Sequence, residues 1–364
     1  DGSSCGISLL FDYNQSTQQA FYFVYYGYDI MGEPLVEGED WIGLFNGDIC
    51  VGSQAVTDGI TTVPAMGDDG FSYSEGYLLD GDFPTFRMYD ASEGMTYIAE
   101  PSQNYGFTNA EIFFVDNIIG KLEYDISLDG MSLVSFHALP EGNSLDDIIG
   151  EQSGNVDEIM GEGMAAIYDG SEWIGTLTEI DISDGYWMHI NQPDILSGIG
   201  SNYDPSRVYD LHAGPNLISY PVIGSADLQF SIPDDVESLF LAILGEGFSA
   251  INTEEGWAGS LTSFEEDDGY WAIVSEDLSF SFESGSMARA AIKPYVETRP
   301  DESQFHVAQS PQQAFYFLEK GALDESLIDY GDWLLSYNGN ILTGIRQWQG
   351  ITIDIPAMGK WKNE

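Results

Sequence analysis

Residues Gly161–Trp187 read GEGMAAIYDGSEWIGTLTEIDISDGYW, and residues Gly245–Trp271 read GEGFSAINTEEGWAGSLTSFEEDDGYW. The two segments align without a gap at a spacing of 84 residues (245 − 161). The same spacing carries Leu133-Val134-Ser135-Phe136 onto Leu217-Ile218-Ser219-Tyr220. A register held over this length marks a duplicated folding unit rather than shared composition. Each copy has a Gly-Glu-Gly turn, a lone Trp followed by a small residue or by Ile-Gly, and Asp-Gly-Tyr-Trp at its end.

A second repeat brackets this pair. Gln18-Gln19-Ala20-Phe21-Tyr22-Phe23, Asp40-Trp41 with Asn46-Gly47, and Val63-Pro64-Ala65-Met66-Gly67 stand near the N-terminus. Gln312-Gln313-Ala314-Phe315-Tyr316-Phe317, Asp332-Trp333 with Asn338-Gly339, and Ile355-Pro356-Ala357-Met358-Gly359 return in the same order. The spacing is 294 for the first piece and 292 for the others, so one loop differs by two residues. With A for the outer unit and B for the inner one, the chain is A-B-B-A. The boundaries read as 1–120 for the first A unit, 121–200 and 201–286 for the B units, and 304–364 for a partial second A unit. The linker falls at 287–303, where Arg289, Lys293 and Arg299 stand with Pro294 and Pro300.

Within A, QQAFYFVYY (residues 18–26) is aromatic and β-branched and reads as a buried strand. Asn46-Gly47 between two apolar runs is a hairpin signal, and Phe83–Tyr89 and Glu111–Ile119 read as closing strands. Each B unit reads as mostly β with one or two helical turns, which Ser144 in the first copy and Pro233-Asp234-Asp235 in the second are suited to start. The expected fold class is mainly β: tandem antiparallel, sandwich-like domains with short helical turns in the B units. After Pro-Ala-Met-Gly the first A unit continues for about fifty residues, the second for five. A sandwich without its closing strands has open edges. Either this sequence, which opens on Asp1 without Met, is a piece of a longer chain, or a neighbouring chain supplies strands and links subunits into a fibre.

Sixty-one Asp and Glu against ten Lys and Arg give a formal net charge of −51, while 43 % hydrophobic and 13 % aromatic residues are those of a folded chain. Such a surface repels nucleic acid and anionic membrane. It suits saline water, where screening acts over roughly 3 Å near 1 M salt. No apolar run reaches the ~20 residues of a membrane-spanning helix, so membrane insertion is not expected.

The chemistry-bearing residues are sparse. His137, His189, His212 and His306 do not recur across the repeats, and neither HExxH, a Cys/His metal spacing nor a phosphate-binding glycine loop is present. Gly2-Ser3-Ser4-Cys5-Gly6 fits G-x-S-x-G but lacks the strand and helix of a nucleophile elbow. No catalytic residue and no required cofactor is assigned. Asp68, Asp69, Asp80 and Asp82 are turn carboxylates of the kind that bind Ca²⁺, and solvated turns are the competing reading. The second A unit has Lys360 in place of Asp68, so a Ca²⁺ site would be confined to the first. The repeated Trp41/Trp333, Trp173/Trp257 and Trp187/Trp271 fit core packing better than sugar stacking. Cys5 and Cys50 both lie in the first A unit, and Leu342 stands where Cys50 would recur, which makes the two a disulfide candidate.

The A motif, QAFYF…DWIGLFNGD…PAMGDDG, resembles a repeat of large secreted surface proteins of marine bacteria of Bacteroidetes-like and Marinimicrobia-like lineages, often associated with type IX secretion. The B motif, NLISYP…GEG…DGYW, resembles the small β unit that accompanies it. The resemblance covers nearly the whole chain and implies an extracellular, non-enzymatic, modular β architecture, while carrying over no catalytic residue. The expected role is thus an extracellular structural or adhesive protein, with a fibre subunit linked by strand pairing as its sharper form. The alternative is a polysaccharide- or Ca²⁺-binding module of a larger secreted protein.

Overall fold

The computed structural model describes residues 11–201, 203–283, 305–321, 323 and 328–360. The described residues are built mostly of strands with three short α-helices, as the sequence predicts. It divides into two compact units, Asp1–Glu123 with Ile199–Tyr203, and Tyr124–Gly198 with Asp204–Glu364. Cys5 and the linker 287–303 lie outside the described residues. Among the described residues, no helix is long and apolar enough to cross a membrane.

The first A module, A1, has strands β1 (Gln18–Tyr28), β2 (Trp41–Asn46), β3 (Ile49–Ala55), β4 (Thr61–Gly67), β5 (Thr85–Asp90), β6 (Met95–Pro101) and β7 (Ile112–Leu128). They pair in the order β3-β2-β5-β6-β7-β1-β4, antiparallel except for β1 and β7, which run parallel. The pleat turns Ala20, Tyr22 and Val24 inward, and all three are buried, while Phe21 and Phe23 face the other side half-buried. At the predicted hairpin Asn46 pairs with Ile49, so Gly47-Asp48 form the two-residue loop. Gly47 holds φ of 60° there, which suits the first position of a type II′ turn. Beyond the hairpin β3 passes close against β4. A Cβ on Gly52 would fall 1.7 Å from the Pro64 carbonyl oxygen, so only glycine admits the approach.

The first B module, B1, contributes β8 (Met131–Val134), α1 (Leu145–Ile149), β9 (Val156–Gly161), β10 (Met164–Tyr168), β11 (Trp173–Gly175), β12 (Tyr186–Ile190) and β13 (Asp194–Gly200). Its sheet runs β11-β10-β9-β12-β8. Ser144 caps α1 as expected, accepting from the Asp147 amide while the Asp147 carboxylate accepts from the Ser144 amide, a reciprocal capping box. The second, B2, has β14 (Tyr209–Leu211), β15 (Gly214–Ser219), β16 (Ser225–Asp227), α2 (Leu228–Ser231), α3 (Asp234–Glu237), β17 (Phe240–Leu244) and β18 (Ser249–Thr253). It closes with β19 (Gly256–Gly259), β20 (Ser263–Glu265), β21 (Gly269–Val274) and β22 (Leu278–Phe280). Its main sheet, β19-β18-β17-β21-β15, repeats the B1 order strand for strand. Each repeat has its own core, centred on Phe136, Ile159 and Tyr186 in B1 and on Tyr220, Ile243 and Tyr270 in B2.

The repeats meet reciprocally. The Leu133 amide donates to the Glu246 carboxylate at 2.7 Å, and the Leu217 amide donates to the Glu162 carboxylate at 3.0 Å. The Ser135 amide donates to the Asp267 carbonyl, and the Ser219 amide to the Ser183 carbonyl. Every atom pair maps onto its partner under the 84-residue shift (133 to 217, 162 to 246, 135 to 219, 183 to 267). That is the signature of an approximate two-fold axis between duplicated units. Leu133, Trp187, Leu217 and Trp271 pack at this seam.

The second A module, A2, comprises β23 (Gln313–Leu318), β24 (Trp333–Asn338), β25 (Ile341–Gln347) and β26 (Ile353–Met358). It repeats the close approach of A1, with Gly344 set 1.7 Å (as a Cβ) from the Pro356 carbonyl oxygen. A2 packs on B2 through a buried ion pair, in which Arg346 meets Asp354 at 2.8 Å and donates to the Gly247 carbonyl at 2.6 Å. The Gln313 amide clasps the same turn, donating to the Gly245 carbonyl at 2.9 Å and accepting from the Gly247 amide at 3.2 Å.

Candidate functional site

The two A modules differ at the edges of β23 and β24. In A1, β1 pairs with β4 on one side and β7 on the other, with Phe21 opposite Ile112 and Tyr28 opposite Ile119. Likewise β2 lies between β3 and β5. In A2, β23 pairs with β26 and β24 pairs with β25, each in a two-stranded sheet. Among the described residues, nothing occupies the edges that β7 and β5 fill in A1.

Side chains report the same gap. Tyr22 is 0 % exposed in A1, where its ring meets Phe86 edge-on at 5.7 Å and Phe113 at 4.9 Å. Its hydroxyl donates to the Tyr105 carbonyl at 2.9 Å, and burial pushes the phenol far above its usual pKa. The matching Tyr316 of A2 is 62 % exposed. Phe45 is 1 % exposed, whereas the matching Tyr337 is 56 % exposed. Phe86 on β5 and Phe113 on β7 cover Tyr22 in A1, and Phe11 meets Phe45 edge-on at 5.7 Å. An open strand edge beside an uncovered aromatic face has the make-up of a strand-accepting site: main-chain groups supply affinity, and pockets for alternate side chains supply selectivity.

The turn carboxylates of A1 are engaged locally. Asp69 accepts hydrogen bonds from the Thr17 amide and hydroxyl at 3.1 Å, and from the Tyr73 and Ser74 hydroxyls at 2.7 Å. Partial desolvation raises its pKa, but the bonds from Ser74, Thr17 and Tyr73 outweigh that effect and hold the carboxyl well below the usual range. Asp68 accepts from the Gly70 amide at 2.8 Å, and Asp82 from the Leu79 amide at 2.8 Å. Asp80 lies in the same turn as Asp82. Among the described residues, no three His, Cys, Asp or Glu side chains form a group that could hold a metal ion. Cys50 is buried beside Phe11 and Phe45, and burial pushes its thiol up to about 11.

Three histidines clamp loops and repeats. His137 meets Asp267 at 2.7 Å across the B1–B2 seam, and His212 meets Glu162 at 2.7 Å across the same seam. His189 meets Asp157 at 2.6 Å within B1. The tryptophans pack as the sequence predicts: Trp173 and Trp257 lie against the B cores, and Trp41 packs on the Phe11, Phe45 and Cys50 cluster. Sequence reasoning found the Gly-Glu-Gly turn but missed its role, which is to span the seam with Glu162 and Glu246. A Glu fixed between two glycines in both repeats was the available signal.

No family model matches the chain. No curated protein is similar to it at a significant level. Among solved structures, the T6 backbone pilin of serotype M6 Streptococcus pyogenes, described as a modular three-domain structure, aligns over 74 % of this chain and 81 % of the pilin. Identity is 9 % and the TM-score 0.12, so the likeness carries neither a fold nor a function.

Proposed function

We propose that this chain is an extracellular structural or adhesive protein, a fibre subunit whose A2 module accepts strands from a neighbouring chain. The observation that carries it is the contrast between Tyr22 and Tyr316, the same residue of the same module, sealed in one copy and open to solvent in the other. A1 defines what fits A2: a strand running parallel to β23 and one antiparallel to β24, with aromatic side chains at the places of Phe113 and Phe86 to cover Tyr316. Burying Tyr316 and Tyr337 would each contribute about 1.5–3 kcal/mol, alongside the main-chain bonds of both edges. The resemblance to secreted marine surface proteins and the acidic surface support the extracellular setting.

Sedimentation velocity and negative-stain electron microscopy in ~1 M salt test this reading. Polymers are expected from the wild-type chain, and monomers from Tyr316→Lys with Tyr337→Lys, whose melting temperature should not fall because both side chains are exposed. Monodisperse wild-type monomers at all concentrations would refute it. A second reading, polysaccharide binding, is favoured by Phe71 and Tyr73, which stack at 5.7 Å and 8° with exposures of 61 % and 43 %. Binding to a glycan array that is lost in Phe71→Ala would support that reading.

A further inference from the structure

B2 shows what its Gly-Glu-Gly turn and the β18–β19 hairpin are for, because A2 sits on them. Gly247 and Ser249 are buried there, and Phe248, Ile251, Ala258 and Ser260 are half-buried. The Phe248 ring lies 4.9 Å from the Arg346 guanidinium carbon, and the Ser260 amide donates to Asp354 at 2.5 Å. B1 has the same turn and hairpin 84 residues earlier. Gly163 and Thr176 are exposed, and Met164, Ile167 and Ile174 are 41 %, 49 % and 49 % exposed. A surface that is apolar at the positions where its sister repeat is covered reads as a docking face without its partner.

A1 carries the complementary face. Gln19 of A1 matches Gln313, the residue that clasps the Gly245 and Gly247 backbone in B2. Gln54 and Thr62 stand where A2 has Arg346 and Asp354, so a neutral amide and hydroxyl replace the buried ion pair. Gln19 is exposed, and Gln54 and Thr62 are half-buried. The backbone groups of the Gly161–Gly163 turn are those of Gly245–Gly247, so the Gln clasp can form again. An Arg-Asp pair would have to be desolvated, whereas the amide and hydroxyl impose a smaller penalty.

We infer that the exposed β10–β11 face of B1 is an interface between copies of this chain, and that it receives the Gln19, Gln54 and Thr62 face of a second copy's A1 module. The contact uses one patch on the first copy and a different patch on the second, so it is heterologous and propagates. The inference rests on the B2–A2 contact and not on strand completion at A2.

Two variants on a Cys5→Ser background test it, one carrying Thr62→Cys and the other Thr176→Cys, the positions that match Asp354 and Ser260. Mixed under mild oxidation in saline buffer and run on a non-reducing gel, they should give a crosslinked dimer that neither forms alone to the same extent. Adding Ile167→Glu and Ile174→Glu to the Thr176→Cys chain should cut that dimer at least about tenfold, since two apolar side chains lose their burial. Unchanged circular dichroism would show that B1 is still folded. Tyr316→Lys should leave the dimer intact, which separates this contact from strand completion. Absence of the mixed dimer, or equal dimer from either variant alone, would overturn the inference.

Discussion

Gly52 and Gly344 stand 292 residues apart and face the same constraint, a proline carbonyl oxygen 1.7 Å from where a side chain would begin. Neither backbone can give way without separating β3 from β4 or β25 from β26. Gly344→Ala should therefore destabilise A2 by roughly 3 kcal/mol or more, beyond the usual overpacking range, and Gly52→Ala should do the same to A1. Limited proteolysis would locate each loss in its own module, and equal resistance of both variants would contradict the account. Asp184, half-buried at the B1–B2 seam, has its pKa raised from an ordinary 3.8 to about 6, first by desolvation and then by Asp181 and Glu162. A carboxyl that binds its proton more tightly when folded adds stability that is complete below about pH 4 and is lost as pH rises through about 6. Its repeat mate Asp268 also has its pKa raised, first by desolvation and then by Glu246, Glu265 and Asp267. Urea midpoints for the B repeats should thus be higher at pH 5 than at pH 7.5, and Asp184→Asn should reduce the difference. A midpoint that rises with pH over this range would be evidence against it.

At the scale of the element, the same strand has two fates. β1 and β23 share Gln-Ala-Phe-Tyr-Phe, yet among the described residues only β1 is enclosed on both edges. Tyr22→Ala should cost about 3–5 kcal/mol, the usual range for emptying a large buried aromatic site. Tyr316→Ala should cost less than about 0.5 kcal/mol in the isolated chain, as exposed substitutions do. Denaturant titration of the two variants measures the contrast directly, and equal losses would mean that Tyr316 is enclosed in solution. Strand content and hairpins follow local rules of alternation and turn residues, so β1, the Asn46-Gly47 hairpin, β5 and much of β7 could be read in advance. β16 and β20, three residues each, are too short to show alternation.

For the whole molecule, the net charge of −51 sets the conditions under which everything else operates. Among the described residues, Arg346–Asp354 is a buried ion pair of Arg with a carboxylate, whereas Arg87–Asp48 and Lys121–Glu100 each have an exposed carboxylate. Uncompensated carboxylates repel one another, and salt screens them. The melting temperature should climb steadily from low salt toward ~1 M NaCl, with most of the gain arriving as the screening length falls below the spacing of surface charges. A flat or falling curve in scanning calorimetry would mean that the acidic surface carries little cost.

The A-B-B-A order, the mainly β class and the core packing of Trp41, Trp173 and Trp257 were legible in the residues alone. Duplication preserves spacing, and alternation and turn chemistry are properties of neighbouring residues. The sequence also left a marker at the seam, the Glu between two glycines, without saying what that Glu reaches. Three outcomes needed the folded chain: Glu162 and Glu246 cross to the opposite repeat, A2 rests on B2, and Tyr316 is open where Tyr22 is sealed. Those outcomes depend on which surfaces meet. Two identical stretches of sequence carry no record of that, because burial is settled by the partner and not by the strand.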